Sequence, residues 1–160
     1  HSVYVSGPIG DGWAGLQLAK RRENVTEATA KLLKAYNRPH PKMDEGRALS
    51  TLVSAMMDIS DGLLLDASRI ADASGVAIEI DIAKIPLSPD FVAIFGEGHE
   101  ARLNAATGGD DYQLLLTASP ETVLPTPVVQ IGVCKAGSGI TVFNEGQQIE
   151  RPTNLGFIHA

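Results

Sequence analysis

The chain has 160 residues, 44% of them hydrophobic, and a formal net charge of −6 from 13 Lys and Arg against 19 Asp and Glu. That length suits one domain with a true core, and the acidic balance, with no basic run beyond Lys20-Arg21-Arg22, argues against nucleic acid as a partner. No apolar run reaches the roughly 18 residues of a membrane helix, so neither a membrane span nor an anchored form is expected.

Val3-Tyr4-Val5 reads as a short strand. The glycine-rich turn Ser6-Gly7-Pro8-Ile9-Gly10-Asp11-Gly12 follows, leading into a helix over 13–21. The turn is either purely structural or a place of close ligand approach; it lacks the Gly-Lys-Ser/Thr of a Walker loop. A second helix is expected over 26–36 with Thr26 at its cap. Pro39 and Pro41 then hold the connection extended, and His40, with no second His or Cys at ligand spacing, reads as a solvated loop residue. Leu49, Leu52, Val53 and Met56 share one face of an expected helix over 46–56.

The stretch Met57-Asp58-Ile59-Ser60-Asp61-Gly62-Leu63 puts two acids, a hydroxyl and a glycine where a core would place aliphatic residues. In an extended backbone Asp58 and Ser60 fall on one face and Ile59 on the other, with Asp61 at the turn. Leu63, Leu64, Ala67, Ile70, Ala71 and Ser74 then recur at helical spacing up to Gly75. Two carboxylates beside a helix N-terminus suit Mg²⁺ and phosphate held together. The same residues are equally compatible with a strand-end acid and an ordinary Ser60 or Asp61 N-cap.

A half-buried strand is expected over 76–83, closed by Pro86. Ser88-Pro89-Asp90 starts a helix that Gly96 and Gly98 interrupt, with a further helical piece over 99–106. Thr107-Gly108-Gly109-Asp110-Asp111-Tyr112 leads into an apolar strand, with the two acids expected at its start, on opposite faces. They are either solvated turn acids or a second functional cluster resembling the first in style. Strands over 128–133 and 140–143 flank a glycine-rich connection, and Asn144-Glu145-Gly146-Gln147 turns the chain once more. Cys134 reads as a small buried apolar residue, and as the lone cysteine it excludes an internal disulfide and favours a reducing compartment, the cytoplasm. The expected class is α+β (mixed α/β), a sheet covered by helices. The missing initiator Met suggests a fragment.

Together with Asp66, Ile70-Ala71, Ser74-Gly75 and Leu87-Ser88, the stretch 57–63 resembles the pattern of the thiamine-monophosphate kinase family, in its C-terminal domain. Tyr4-Val5-Ser6-Gly7 with Gly10 and Gly15-Leu16, Arg38-Pro39 with Pro41, Gly108-Gly109-Asp110-Asp111-Tyr112 with Leu114, and the ending Gly156-Phe157-Ile158-His159 follow in that family's order. The family is grouped with aminoimidazole ribonucleotide synthetase, selenophosphate synthetase and a hydrogenase-maturation protein, all built of an N-terminal and a C-terminal α/β domain.

The resemblance implies that residues 1–160 are a single C-terminal domain, with the N-terminal metal- and ATP-binding domain, which usually builds a homodimer, absent from the chain. It implies transfer of the ATP γ-phosphoryl group to thiamine monophosphate, giving thiamine diphosphate, with Mg²⁺ and K⁺ as cofactors and the isolated chain inactive. By position, Asp58 and Asp61 would hold Mg²⁺, Ser60 would contact ATP, and Asp110 and Phe157 would hold the thiamine phosphate. No residue is assigned as a covalent or acid-base catalyst. Departures from the family pattern are Asp110 in place of Glu, Gln113 in place of a second Glu, Ala35 and Lys42 in place of Arg, and the ending Phe157 with His159-Ala160. The alternatives are another ATP-dependent synthetase of the superfamily or a non-catalytic ligand-binding or assembly domain.

Overall fold

Strand β4 (Leu114–Ala118) is buried along its whole length, and its residues alternate between two cores as a period of two requires. Leu115 faces the main core, while Leu114 and Leu116 face a smaller cluster on the other side of the sheet. In the computed structural model, residues 1–21 and 26–157 are described.

Around β4 the described residues form a seven-stranded sheet in the order β2-β4-β1-β5-β3-β6-β7. Its strands are β1 (Ser2–Val5), β2 (Ala55–Asp58), β3 (Ala77–Asp81), β4, β5 (Val129–Lys135), β6 (Gly139–Asn144) and β7 (Gln147–Gln148). β3 and β6 pair in parallel and the other pairs are antiparallel. With six α-helices among the described residues, this is the mixed α/β class expected from the pattern.

The helices divide the hydrophobic interior. α4 (Leu63–Ser74) lays Leu63, Leu64, Ala67 and Ile70 on the main core, joined there by Ala106 of α6 (His99–Thr107). α1 (Asp11–Arg21), α2 (Glu27–Asn37) and α5 (Pro89–Phe95) close a second cluster around Phe91, Leu18 and Leu32. α3 (Met43–Leu49) contributes Leu49 to the cluster on the far face of the sheet.

Several termini are where local chemistry places them. Thr26 and Thr29 make a reciprocal capping box at the start of α2, and Ser88 accepts from the Phe91 N–H at 3.0 Å with Pro89 in the first turn of α5. α4 stops at Gly75, whose left-handed φ of 63° lets its N–H reach back to the carbonyls of Ala71 and Asp72.

The expected helix over 46–56 is corrected. Helix α3 ends at Leu49, and Ala55–Asp58 is instead an edge strand, paired with β4 from Ala55 opposite Thr117 to Asp58 opposite Leu114. Leu49, Val53 and Met56 do reach one cluster, so the apolar spacing located the buried face correctly but not the backbone that carries it. The strand over 76–83 is shorter than expected: it gives way to a 3₁₀ turn (Ile82–Lys84) in which Asp81 accepts the Ala83 N–H at 3.1 Å. β5 and β6 do flank the glycine-rich connection, yet β3 lies between them. Cys134 is a free thiol, half-buried against the main core.

Candidate functional site

Beyond Asp58 the chain leaves the sheet but keeps bonding to the segment that precedes β4. The Ile59 N–H donates to the Gln113 carbonyl at 2.8 Å, the Tyr112 N–H to the Ile59 carbonyl at 2.8 Å, and the Asp110 N–H to the Ser60 carbonyl at 2.9 Å. From the other side the Phe157 N–H donates to the Asp61 carbonyl at 2.7 Å. Loop 59–62, loop 108–113 and the tail around Gly156 are therefore one backbone unit, although nearly a hundred residues separate its ends in sequence.

Glycine makes this closeness possible. A Cβ on Gly109 would overlap the Ser60 carbonyl oxygen, and one on Gly156 would overlap that of Asp61. Because both obstacles are backbone atoms, neither can swing aside. Gly109→Ala is expected to lower stability by about 1–3 kcal/mol, the cost of forced overpacking, and to weaken protection of the Asp110 amide in hydrogen exchange. Wild-type midpoint and protection in this variant would contradict the account.

The loop is held from below by Asp66. This fully buried carboxylate accepts the N–H groups of Ser60 and Asp61 on one oxygen, each at 3.1 Å, and Nη1 of Arg69 on the other at 2.6 Å. The same Nη1 lies 2.6 Å from Asp61 Oδ2. Burial raises the Asp66 pKa, opposed by these two amides and by Arg69. The guanidinium is correspondingly held protonated, chiefly by its bond to Asp61. Neither Ser60 nor Asp61 caps α4: the N-cap is Gly62, with φ at 127° and no side-chain cap. This corrects the N-cap reading of those two residues.

Asp110 and Asp111 do not begin the strand, which starts at Leu114; they lie in a loop whose backbone takes positive φ at Asp110 (65°) and Tyr112 (52°). Such angles are costly for a side chain as large as tyrosine. Asp111, between them, is not a solvated turn acid. Its carboxylate accepts the Gly10 N–H on both oxygens at 2.9 Å and the Gly12 N–H at 3.1 Å. The glycine-rich turn at the start of α1 thus receives a carboxyl group of the chain itself, at a place where a helix N-terminus commonly takes a ligand anion. Burial, with the neighbouring Asp11 and Asp110 charges, pushes Asp111 up to about 8 in spite of those amides. Gln113, where the resembling pattern has Glu, accepts from Ser6 Oγ at 2.8 Å.

These loops open onto a cavity of about 660 Å³. Ser60, Asp61, Asp110 and Phe157 all line it, so four of the five residues singled out in the sequence come together. Asp58 does not line it; it is exposed at the end of β2. Ile158 and His159, also part of the motif, lie outside the described residues. Phe157 is 62% exposed. Trp13, Tyr36 and Tyr112 complete an aromatic wall that the sequence reading missed. Trp13 is braced from behind by Phe95, ring centroids 5.1 Å apart, and by Phe91 at 6.2 Å. Only its place opposite Gly108, where a Cβ would meet the indole, ties it to the motif, and no local pattern reveals that.

A divalent cation finds only some of its donors here. Among the described residues no group of three or more His, Cys, Asp or Glu is gathered for a metal. Asp58 and Asp61 offer the hard carboxylate oxygens that Mg²⁺ prefers, but Asp61 is paired with Arg69. By donor type alone the two would supply part of a coordination shell, not a whole one.

Fold and site define a mixed α/β domain in which acidic, glycine-braced loops surround an aromatic-walled cavity. The family described as AIR synthase related protein, C-terminal domain, matches residues 1–143, and the chain belongs to it. Among curated proteins it is similar to the thiamine-monophosphate kinase of Caulobacter vibrioides, 36% identical over 98% of this chain and 47% of that protein. It is likewise similar to that of Aquifex aeolicus, 38% identical over 93% of this chain and 49% of that one. The chain spans about half the length of the curated relatives it matches. Of solved structures, AaThiL complexed with AMPPCP and TMP superposes with a TM-score of 0.83 at 35% identity, covering 98% of this chain and 51% of that one. Escherichia coli HypE, a hydrogenase maturation protein, has a TM-score of 0.58 at 19% identity over 98% of this chain and 50% of its own, a likeness of fold alone.

Proposed function

We propose that the chain is the C-terminal half of a thiamine-monophosphate kinase, which transfers the γ-phosphoryl group of ATP to thiamine monophosphate. The observation that carries this reading is the convergence of Ser60, Asp61, Asp110 and Phe157 on one cavity. It is supported by similarity along almost the whole chain to proteins of that name, and by a neighbour complexed with an ATP analogue and TMP. Cytoplasmic location and a homodimer built through the N-terminal half belong to the same reading.

Phosphoryl transfer between two anions asks for positioning and charge neutralisation rather than a covalent nucleophile. Phe157, with the braced Trp13 on the same cavity, offers flat apolar surface for the thiamine rings. Asp110 has no hydrogen-bond or ion-pair partner for its side chain among the described residues, and it places a negative charge where the cationic thiazolium would lie. The Ser60 hydroxyl is the contact to ATP, its backbone fixed by the N–H bond to the Asp66 carboxylate and by the Asp110 N–H on its carbonyl. Asp58 and Asp61 are the Mg²⁺ ligands of this reading, with further donors from the N-terminal half. When bound, the ion would neutralise phosphate charge; K⁺ is retained as a second cofactor.

The test is turnover of ATP and thiamine monophosphate by a protein in which this chain is joined to such an N-terminal half, with the 160-residue chain alone giving none. Absence of thiamine phosphate binding by the joined protein would overturn the reading. In that protein, Phe157→Ala is expected to raise KM for thiamine monophosphate about tenfold with kcat little changed, the loss of roughly one aromatic contact. Asp58→Asn is expected to move the Mg²⁺ dependence of turnover to at least roughly tenfold higher concentration without altering the melting temperature. Unchanged Mg²⁺ dependence would remove Asp58 from the ligand set.

A further inference from the structure

The cations of α2 and of the proline-bridged segment after it play no part in the fold or site described so far. Lys31, Lys34, Arg38 and Lys42 line a separate cavity of about 290 Å³, facing the start of α1 and the 110–113 loop. They are four of the 13 Lys and Arg in a chain of net charge −6, so their gathering runs against the overall balance.

Helical spacing puts Lys31 and Lys34 on one face of α2, and Arg38, the C-cap, lines the same cavity, so like charges are gathered that repel one another. Lys31 is shared with Glu27 at 3.0 Å and Asp90 at 3.6 Å, and Lys42 with Glu45 at 3.5 Å. The side chains of Lys34 and Arg38 have no ion-pair or hydrogen-bond partner among the described residues, although both line the cavity. The acids of the same cavity are mostly engaged. Asp11 accepts from Ser88 Oγ at 2.6 Å, and Asp111 holds the amides of Gly10 and Gly12. What remains available is mainly positive charge, with Asp110 as the single uncommitted acid.

We propose that this cavity is an oxyanion site that takes the phosphate group of a phosphorylated ligand. Arg38 supplies a planar fork suited to two phosphate oxygens, Lys34 a point charge beside it, and Lys42 a third cation from the extended segment. Asp110 lines both this cavity and the larger one. A ligand seated by its phosphate here therefore has a path past Asp110 towards the aromatic wall. The site is built from charge and shape alone and stands whether or not the kinase reading does.

The experiment is an NMR titration of the isotopically labelled 160-residue chain, with inorganic phosphate as the first probe at constant ionic strength set by chloride. Saturable shifts at the amides of 34–42 are expected, weakened at least tenfold in the Lys34→Ala/Arg38→Ala double variant and unchanged in Lys135→Ala. Both substituted side chains are exposed, so the fold should persist, and a melt checks it. The single variants, each expected to weaken binding, serve if the double one melts early. Thiamine monophosphate against thiamine, and ATP against adenosine, then separate the sources of the phosphate. The compound whose phosphate-dependent advantage disappears in the double variant is the one that uses the site. Shifts reproduced by chloride alone, or equal phosphate binding by wild type and double variant, would overturn the proposal. A chain that binds phosphate but fails to turn over thiamine monophosphate when joined to its N-terminal half would leave the oxyanion site standing and remove the kinase reading.

Discussion

Asp66→Ala is expected to cost about 2–4 kcal/mol of stability and to release the loop that carries Ser60 and Asp61. The magnitude follows from what is left behind. Two N–H groups, those of Ser60 and Asp61, lose the carboxylate oxygen that accepts them at 3.1 Å, and each unsatisfied buried donor costs about 1–3 kcal/mol. The sum is discounted because Arg69, 45% exposed, lets water approach from one side. For the same reason the substitution strands no buried cation, and the larger penalty of a broken fully buried pair does not apply.

A purely structural role predicts only the lower midpoint; a positioning role also predicts a local signature. Amide exchange at Ser60 and Asp61 should speed up well beyond the change at Ala71 and Asp72, whose carbonyls close the other end of α4 on Gly75. In the protein joined to its N-terminal half, kcat for phosphoryl transfer should fall on the order of a hundredfold, equivalent to about 2.7 kcal/mol of lost positioning. Asp66→Asn keeps one oxygen for the two amides but turns an NH₂ towards Arg69, so it should land between wild type and Ala. An Ala variant with wild-type midpoint and wild-type exchange at Ser60 would dispose of the argument.

What could be read in advance divides by the reach of the interaction. Helix ends at Thr26, Ser88 and Gly75 were legible because a cap is decided within four residues of itself. The edge strand at Ala55–Asp58 was not, because its partner, β4, lies some sixty residues away and its apolar residues happen to repeat at helical spacing. The site shows the same division. Ser60, Asp61 and Asp110 were picked out as acids and hydroxyls beside glycines, and Phe157 by resemblance. Trp13 and Tyr36 could not be, since their neighbours across the cavity come from the other end of the chain. For the same reason the sequence leaves Asp111 open between a solvated turn acid and a member of a second functional cluster: its partners Gly10 and Gly12 are 101 and 99 residues distant. Asp66 was noticed only as part of a family pattern, and nothing in its helical position announces that it faces back under the loop.

Asp111→Asn is expected to reverse the order of stability with wild type as pH rises. In the folded protein burial, with the charges of Asp11 and Asp110, outweighs the amides of Gly10 and Gly12 and pushes the Asp111 carboxyl up to about 8 from the ordinary carboxylate value of 3.8. A raised folded-state pKa means that between those two values the native protein holds a proton that the unfolded chain has lost. The contribution is therefore complete below about pH 4, declines across the neutral range, and is gone once pH passes through 8. Its limiting slope is about 1.4 kcal/mol per pH unit for one proton. Asp11 and Asp66 are shifted in the same direction by burial, so they add to the decline at its acidic end. Asparagine carries no proton to lose, and its oxygen can still accept both glycine amides, since Asp111 Oδ1 is within bonding distance of both, Gly10 being shared with Oδ2. Denaturant unfolding followed from pH 5 to 9 should show the wild-type stability falling more steeply than that of the variant. The variant should be the more stable of the two at the alkaline end. Parallel profiles would place the native Asp111 charge outside the pH range of folding linkage and would mean that the α1 amides hold it ionised throughout.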